Sequence, residues 1–109
     1  MPGDPGPWVS PDQSHLAYLL FSEASVSLHV VSVTSGDTWE VVSPAADHVY
    51  IVTATWVTSD TMSVGWMTRD QTSLLFTICS RVKDWTCNIV STMAKEKNYY
   101  RLNNEQHQF

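Results

Sequence analysis

The side chains able to do chemistry in this chain are four histidines (His15, His29, His48 and His107), two cysteines (Cys79 and Cys87), and a plentiful supply of hydroxyls and carboxylates. A zinc site needs three or four ligands held tetrahedrally, and sequences that build one with cysteine usually show a tight CxxC spacing. No histidine here has metal spacing with another histidine or a cysteine, and the cysteines stand eight apart. No metal and no cofactor is therefore expected. His29 falls within an alternating apolar stretch, where a packed or edge histidine is expected rather than a base.

Hydroxyls this numerous make chance Ser/His/Asp sets easy to find, so a nucleophile needs a further signature. None of the serines lies in a GxSxG elbow, and no glycine-rich turn supplies oxyanion donors. Glycine occurs only at positions 3, 6, 36 and 65, which excludes phosphate-binding and dinucleotide-binding loops. Glu40 with Asp37 or Asp47 reads as ordinary turn and surface carboxylate. The chain contains no N-x-S/T acceptor for an N-glycan. No catalytic residue is assigned.

Cys79 and Cys87 flank the turn-like segment SRVKDWT. If Ile78 and Asn88 lie on paired antiparallel strands, the cysteines come within the Cα separation of about 5.5 Å that a disulfide needs. Two buried free thiols, as in a reducing compartment, are the other reading. Five tryptophans offer a different chemistry, a flat platform for a glycan or peptide. Trp56 and Trp66, however, fall on strand faces that also carry Val52, Ala54, Met62 and Val64, which places them in a core.

The elements that must position these groups are strands. β-branched and aromatic residues alternate over Leu16–Phe21, Val26–Val33, Thr38–Val42, Val49–Thr58, Thr61–Met67, Thr72–Cys79 and Trp85–Ser91, separated by short polar turns. Val26, Leu28 and Val30 share one face; Tyr50, Val52, Ala54 and Trp56 another; Met62, Val64 and Trp66 a third. Pro11 and Asp12 mark a turn, and Pro44 breaks the pattern because it cannot donate to a ladder. The result is an all-β antiparallel meander of six or seven strands over residues 8–93. Residues 1–7 read as a disordered lead. The polar segment 94–109, with no strand alternation, is expected to fray, with a short helix over Met93–Leu102 as the alternative.

At 109 residues and 43% hydrophobic, the chain is the size of one small domain and too apolar for disorder. Its formal charge of −5, with scattered basic residues, argues against nucleic acid and anionic membrane surfaces. No apolar run reaches the roughly 18 residues that span a bilayer. The opening MPGDPGPW has neither the basic nor the apolar region of a signal peptide. A disulfide without a secretion signal would suggest that the natural N-terminus lies elsewhere.

The order of landmarks resembles a known family. WVSPDQSHLAYL at 8–19 resembles the WxSPDGxxLAY turn and strand of β-propeller domains. VSLHVV, VYIVTATWVTSD, MSVGWMTRDQTSLLFTIC and DWTC then look like consecutive strands of the N-terminal propeller of the dipeptidyl peptidase IV family. The resemblance covers residues 7–91 and is most specific over Val49–Cys87. Two departures stand out. Phe21–Ser25 joins its flanking strands directly, where family members carry a longer insert, and a polar tail replaces the expected GW-containing continuation after Cys87.

The resemblance implies one blade plus parts of its neighbours from an eight-bladed propeller that caps an α/β-hydrolase domain. It also implies a hairpin disulfide between Cys79 and Cys87 and a family of serine exopeptidases that remove N-terminal dipeptides after proline. Some members are inactive and serve as ion-channel auxiliary subunits. The catalytic Ser, Asp and His belong to the hydrolase domain, and the substrate-holding glutamates lie upstream of the WxSP turn, so neither set is carried over. The expectation is a noncatalytic fragment, from a truncated product, an isoform or a gene-model fragment, of a protein that is secreted or faces outward from the plasma membrane. Its partners would be the remaining blades and the hydrolase domain, with self-association through exposed apolar faces. The alternatives are a secreted β-sandwich that binds protein or glycan, and a piece of an inactive channel-auxiliary homologue.

Overall fold

The computed structural model describes residues 7–22, 26–96 and 99–102. Among these described residues nine strands run in order: β1 (Trp8–Val9), β2 (His15–Phe21), β3 (Val26–Ser32), β4 (Thr38–Val41), β5 (His48–Thr58), β6 (Thr61–Thr68), β7 (Ser73–Ser80), β8 (Thr86–Glu96) and β9 (Tyr99–Leu102). They form two antiparallel sheets, β1-β2-β3-β4 and β5-β6-β7-β8-β9, each strand pairing with its sequence neighbour. The all-β antiparallel class expected from the sequence holds. The strands divide into two successive meanders, where one meander with flanking pieces was expected.

Alternation decides which side chains meet. Ala17, Leu28, Val30 and Val41 from the first sheet, and Met62, Val64, Trp66, Leu75 and Cys79 from the second, form one buried cluster with Trp85. The shared faces of β3 and β6 are those the sequence pattern indicates. On β5 the pattern misleads. Register shifts between His48 and Tyr50, Ile51 and Thr53, and Trp56 and Thr58 insert an extra residue each time. Each insertion moves the following side chains to the other face. As a result Ile51, Ala54 and Trp56 pack on the core, while Tyr50 and Val52 are 40% and 41% exposed.

The turns explain themselves in polar side chains. Between β1 and β2 the Ser10 hydroxyl accepts the backbone N–H of Ser14 at 3.1 Å and of His15 at 3.0 Å, and donates to Asp12. Between β6 and β7 the Asp70 carboxylate accepts from the Thr68 and Thr72 hydroxyls at 2.7 and 2.6 Å and from the Thr72 N–H. Two contacts tie the sheets together at their turns. Asp12 N–H donates to Ser59 Oγ at 2.9 Å, and Trp56 Nε1–H donates to the Trp8 carbonyl at 3.0 Å.

Two expectations are corrected near the C-terminal end. Trp85 does not open a strand; it ends the β7–β8 turn, where Asp84 and Trp85 both adopt positive φ (56° and 62°) after a 3₁₀ turn over Arg81–Lys83. The polar segment expected to fray or coil continues β8 to Glu96 and returns as β9, with Met93 opposite Leu102 and Glu96 opposite Tyr99. Backbone pairing with β8, which needs no side-chain pattern, recruits it. Residues 1–6 and 103–109, including His107, lie outside the described residues.

Candidate functional site

The structure assembles one array that the sequence did not indicate. His48 opens β5 and Ser73 opens β7, and the Ser73 hydroxyl lies 2.9 Å from His48 Nε2. His48 Nδ1 lies 2.8 Å from an Asp47 carboxylate oxygen. A carboxylate only accepts, so Nδ1 carries the imidazole proton, and Nε2 of the neutral ring accepts from Ser73. Local turn chemistry holds the histidine in place. Ser43 Oγ bonds the Ala45 carbonyl at 2.9 Å, and His48 N–H donates to that same carbonyl at 3.1 Å. The adjacent Asp47-His48 pair was visible in the sequence; its distance from Ser73, 25 positions on, was not.

The Ser73–His48–Asp47 order is that of a hydrolase relay, but the rest of such a site is missing around it. Acyl transfer needs free N–H groups aimed at a developing oxyanion. Here the Thr72 N–H donates to Thr68 Oγ1 and Asp70 Oδ1, and the Ser73 N–H donates to Thr68 Oγ1 at 3.2 Å. Asp47 has a side chain 77% exposed, so water competes for it. A cleft of about 250 Å³ opens beside the array, lined by His48, Trp66, Val41, Glu40 and Arg69 among others, and Ser73 is not part of its wall. The arrangement can orient a histidine and tie the start of β5 to the start of β7. It cannot present a nucleophile to a carbonyl.

The remaining sequence-stated groups are placed in the packing. His15 sits among tryptophans, with ring centroids 5.7 Å from Trp85, 6.2 Å from Trp39 and 6.5 Å from Trp56, and its Nδ1 is 2.8 Å from Ser14 Oγ. Trp56 and Trp85 meet edge to face at 5.5 Å. Trp66 is 4% exposed and its Nε1–H donates to Thr77 Oγ1, which in turn donates to the Val64 carbonyl. The five tryptophans therefore pack in or against the core and do not form a solvent-facing platform. The buried Nε1–H of Trp85 has no hydrogen-bond acceptor. On the first sheet, His29 bonds Ser27 Oγ at 2.9 Å and stacks on Tyr18 at 5.6 Å.

Cys79 and Cys87 are joined by a disulfide across directly paired positions of β7 and β8. With each sulfur bonded to the other, neither is a thiolate ligand or nucleophile. Among the described residues, the clearest shifts in titration lie at the turns. Hydrogen bonds from the Ser14 side chain and then its backbone hold the Asp12 carboxyl well below the usual carboxylate range. Those from the Thr72 and Thr68 side chains do the same for Asp70. Arg81 is pushed up by its hydrogen bond to Asp60, at 2.6 Å, and then by that residue's charge.

Two stacked antiparallel meanders, of four and five strands, that share one apolar core are blades of the β-propeller type. The family model for the dipeptidyl peptidase IV (DPP IV) N-terminal region matches residues 21–109, and the chain belongs to that family. A search of curated proteins finds no match. The family match starts at Phe21, so the WxSPD turn and most of β2 lie outside it. It runs on through the polar segment that the sequence resemblance had left out beyond residue 91. Among the described residues no helix is long and apolar enough to cross a membrane.

Proposed function

We propose that this chain is a noncatalytic segment of the β-propeller of a dipeptidyl peptidase IV-like protein on the extracellular side. Peptide-bond cleavage then belongs to a separate hydrolase domain of the parent. Its two sheets would contribute wall and packing surface to a substrate chamber and contacts to the remaining blades and that domain. The family match across residues 21–109 carries this reading. Three features support it. Among the described residues the histidines serve turns and packing, the Ser73–His48–Asp47 array has its neighbouring N–H groups already bonded, and the disulfide suits an oxidising compartment.

The test is activity of the purified chain. Proline-containing dipeptide nitroanilides should show no turnover, and a fluorophosphonate probe should leave the chain unlabelled. Labelling or turnover that disappears in Ser73→Ala would overturn the noncatalytic reading and turn the His48 array into a working relay.

A further inference from the structure

The turn between β7 and β8 is built under strain. Asp84 and Trp85 are consecutive non-glycine residues with φ of 56° and 62°, in the left-handed region that a bulky side chain rarely adopts. Trp85 is 1% exposed, yet its Nε1–H has no acceptor, so burial leaves a donor dehydrated and unpaired. Its backbone N–H donates to the Ser80 carbonyl at 2.8 Å, and its indole meets Trp56 and His15. The 3₁₀ turn ahead of it buries no residue, and Val82 is 76% exposed. A conformation that carries such costs persists only where its surroundings impose it.

The disulfide supplies that constraint. Cys87 follows Trp85 by two positions, its Sγ lies 3.8 Å from the Trp85 carbonyl oxygen, and its bond to Cys79 closes the segment at directly paired positions of β7 and β8. The two sulfurs have different surroundings. Cys79 is fully buried, and its Sγ lies 3.7 Å from Thr77 Oγ1, which accepts from Trp66 and donates to the Val64 carbonyl. Cys87 is only partly buried and stands between the exposed residues Thr86 and Asn88. A disulfide sulfur is an electrophile, and access helps to decide which of the two is attacked.

We propose that the Cys79–Cys87 disulfide is a site of thiol–disulfide exchange, attacked at Cys87 by an external dithiol, and that its reduction releases Trp85 from the core. The attacking thiolate forms a mixed disulfide with Cys87 Sγ, and Cys79 Sγ leaves with the bonding pair and takes a proton from water. Thr77 Oγ1 keeps a lone pair with which to accept from the new Cys79 thiol. The second thiol of the reductant then attacks its own sulfur in the mixed disulfide, and Cys87 leaves and is protonated in turn. Two electrons and two protons pass overall from the dithiol, which becomes a disulfide, to the protein pair, which becomes two thiols. With the loop open, Asp84 and Trp85 relax to negative φ and the indole N–H reaches water. The inference stands on the geometry of the turn and not on the peptidase reading, which turnover tests separately.

The folded chain is treated with excess 2-mercaptoethanol, quenched with N-ethylmaleimide and digested with trypsin, whose cuts after Arg81 and Lys83 part the two cysteines. Mercaptoethanol should be found on Cys87 and maleimide on Cys79, by about tenfold or more over the reverse, with the preference lost in urea. In a second measurement dithiothreitol should shift the tryptophan emission of the chain to the red, and Trp85→Phe should lose that shift. If Trp85→Phe does not fold by its far-ultraviolet spectrum, Asp84→Gly replaces it; this variant relieves the strain outside the core, so its reduced form should shift less than the parent's. Adducts on Cys79, on both cysteines evenly or on neither would overturn the exchange site. An emission that does not move on reduction, or a shift unchanged in the variant used, would overturn the release of Trp85.

Discussion

Gly65 gives the sharpest test of the packing around β6. A Cβ built there would stand 2.8 Å from Thr53 Cγ2, 3.2 Å from Phe76 Cε1 and 3.2 Å from Val52 Cγ2. Contacts under 3.0 Å essentially do not occur for real Cβ atoms, so Gly65→Ala must displace Thr53, which pairs directly across from it. Overpacking of this kind costs about 1–3 kcal/mol. Removing a glycine from a strand returns roughly 0.5–1 kcal/mol through the unfolded chain. The net expectation is a loss of about 1–2 kcal/mol, a factor of roughly 5–30 in the folded-to-unfolded ratio. Urea unfolding followed by tryptophan fluorescence reads it. Thr53→Ser removes the offending methyl, so the double variant should recover much of the loss, with a coupling of about 1 kcal/mol. A neutral or stabilising Gly65→Ala, or a double variant that is merely additive, would refute the contact as the cause.

The disulfide closes a loop of eight positions, and Cys79→Ala with Cys87→Ala should cost about 2–3 kcal/mol by loop-closure entropy, seen as a lower urea midpoint that matches the reduced chain. Ser73→Ala removes the donor to a buried histidine nitrogen and should cost about 1 kcal/mol, measured by the same unfolding. For Asp70 the folded carboxyl is depressed below the ordinary 3.8 of an aspartate by the Thr72 and Thr68 hydrogen bonds, so its charge contributes stability that is fully present above that value and is lost as pH falls through the folded one. Asp70→Asn should therefore lie below the parent at neutral pH and converge on it in acid; a gap that stays constant in urea midpoints measured down the pH range would contradict the hydrogen-bonded carboxylate.

How far the residues alone carried the architecture depends on the strand. Leu28 and Val30 on β3, and Met62, Val64 and Trp66 on β6, obey strict alternation, so their shared faces were legible. β5 was not, because its three register shifts leave no mark in composition and turn Tyr50 and Val52 outward. β9 was missed for a different reason. A strand added at a sheet edge is held by main-chain hydrogen bonds, and Tyr99–Leu102 carries no period-two pattern. The His48 array joins residues 25 apart through pairing of β5, β6 and β7, a placement no local signal encodes.

What the sequence by itself determined is the class of element and its order: antiparallel strands, their turns, a cysteine pair across one hairpin, and tryptophans turned inward. Those are local properties, set by side-chain period, turn residues and a short loop. Only the tertiary structure decided that the strands split into two sheets with a common core, and that Trp85 sits in a left-handed turn among His15 and Trp56. Which face of a strand is buried depends on what lies across from it, and that neighbour is far away in the chain.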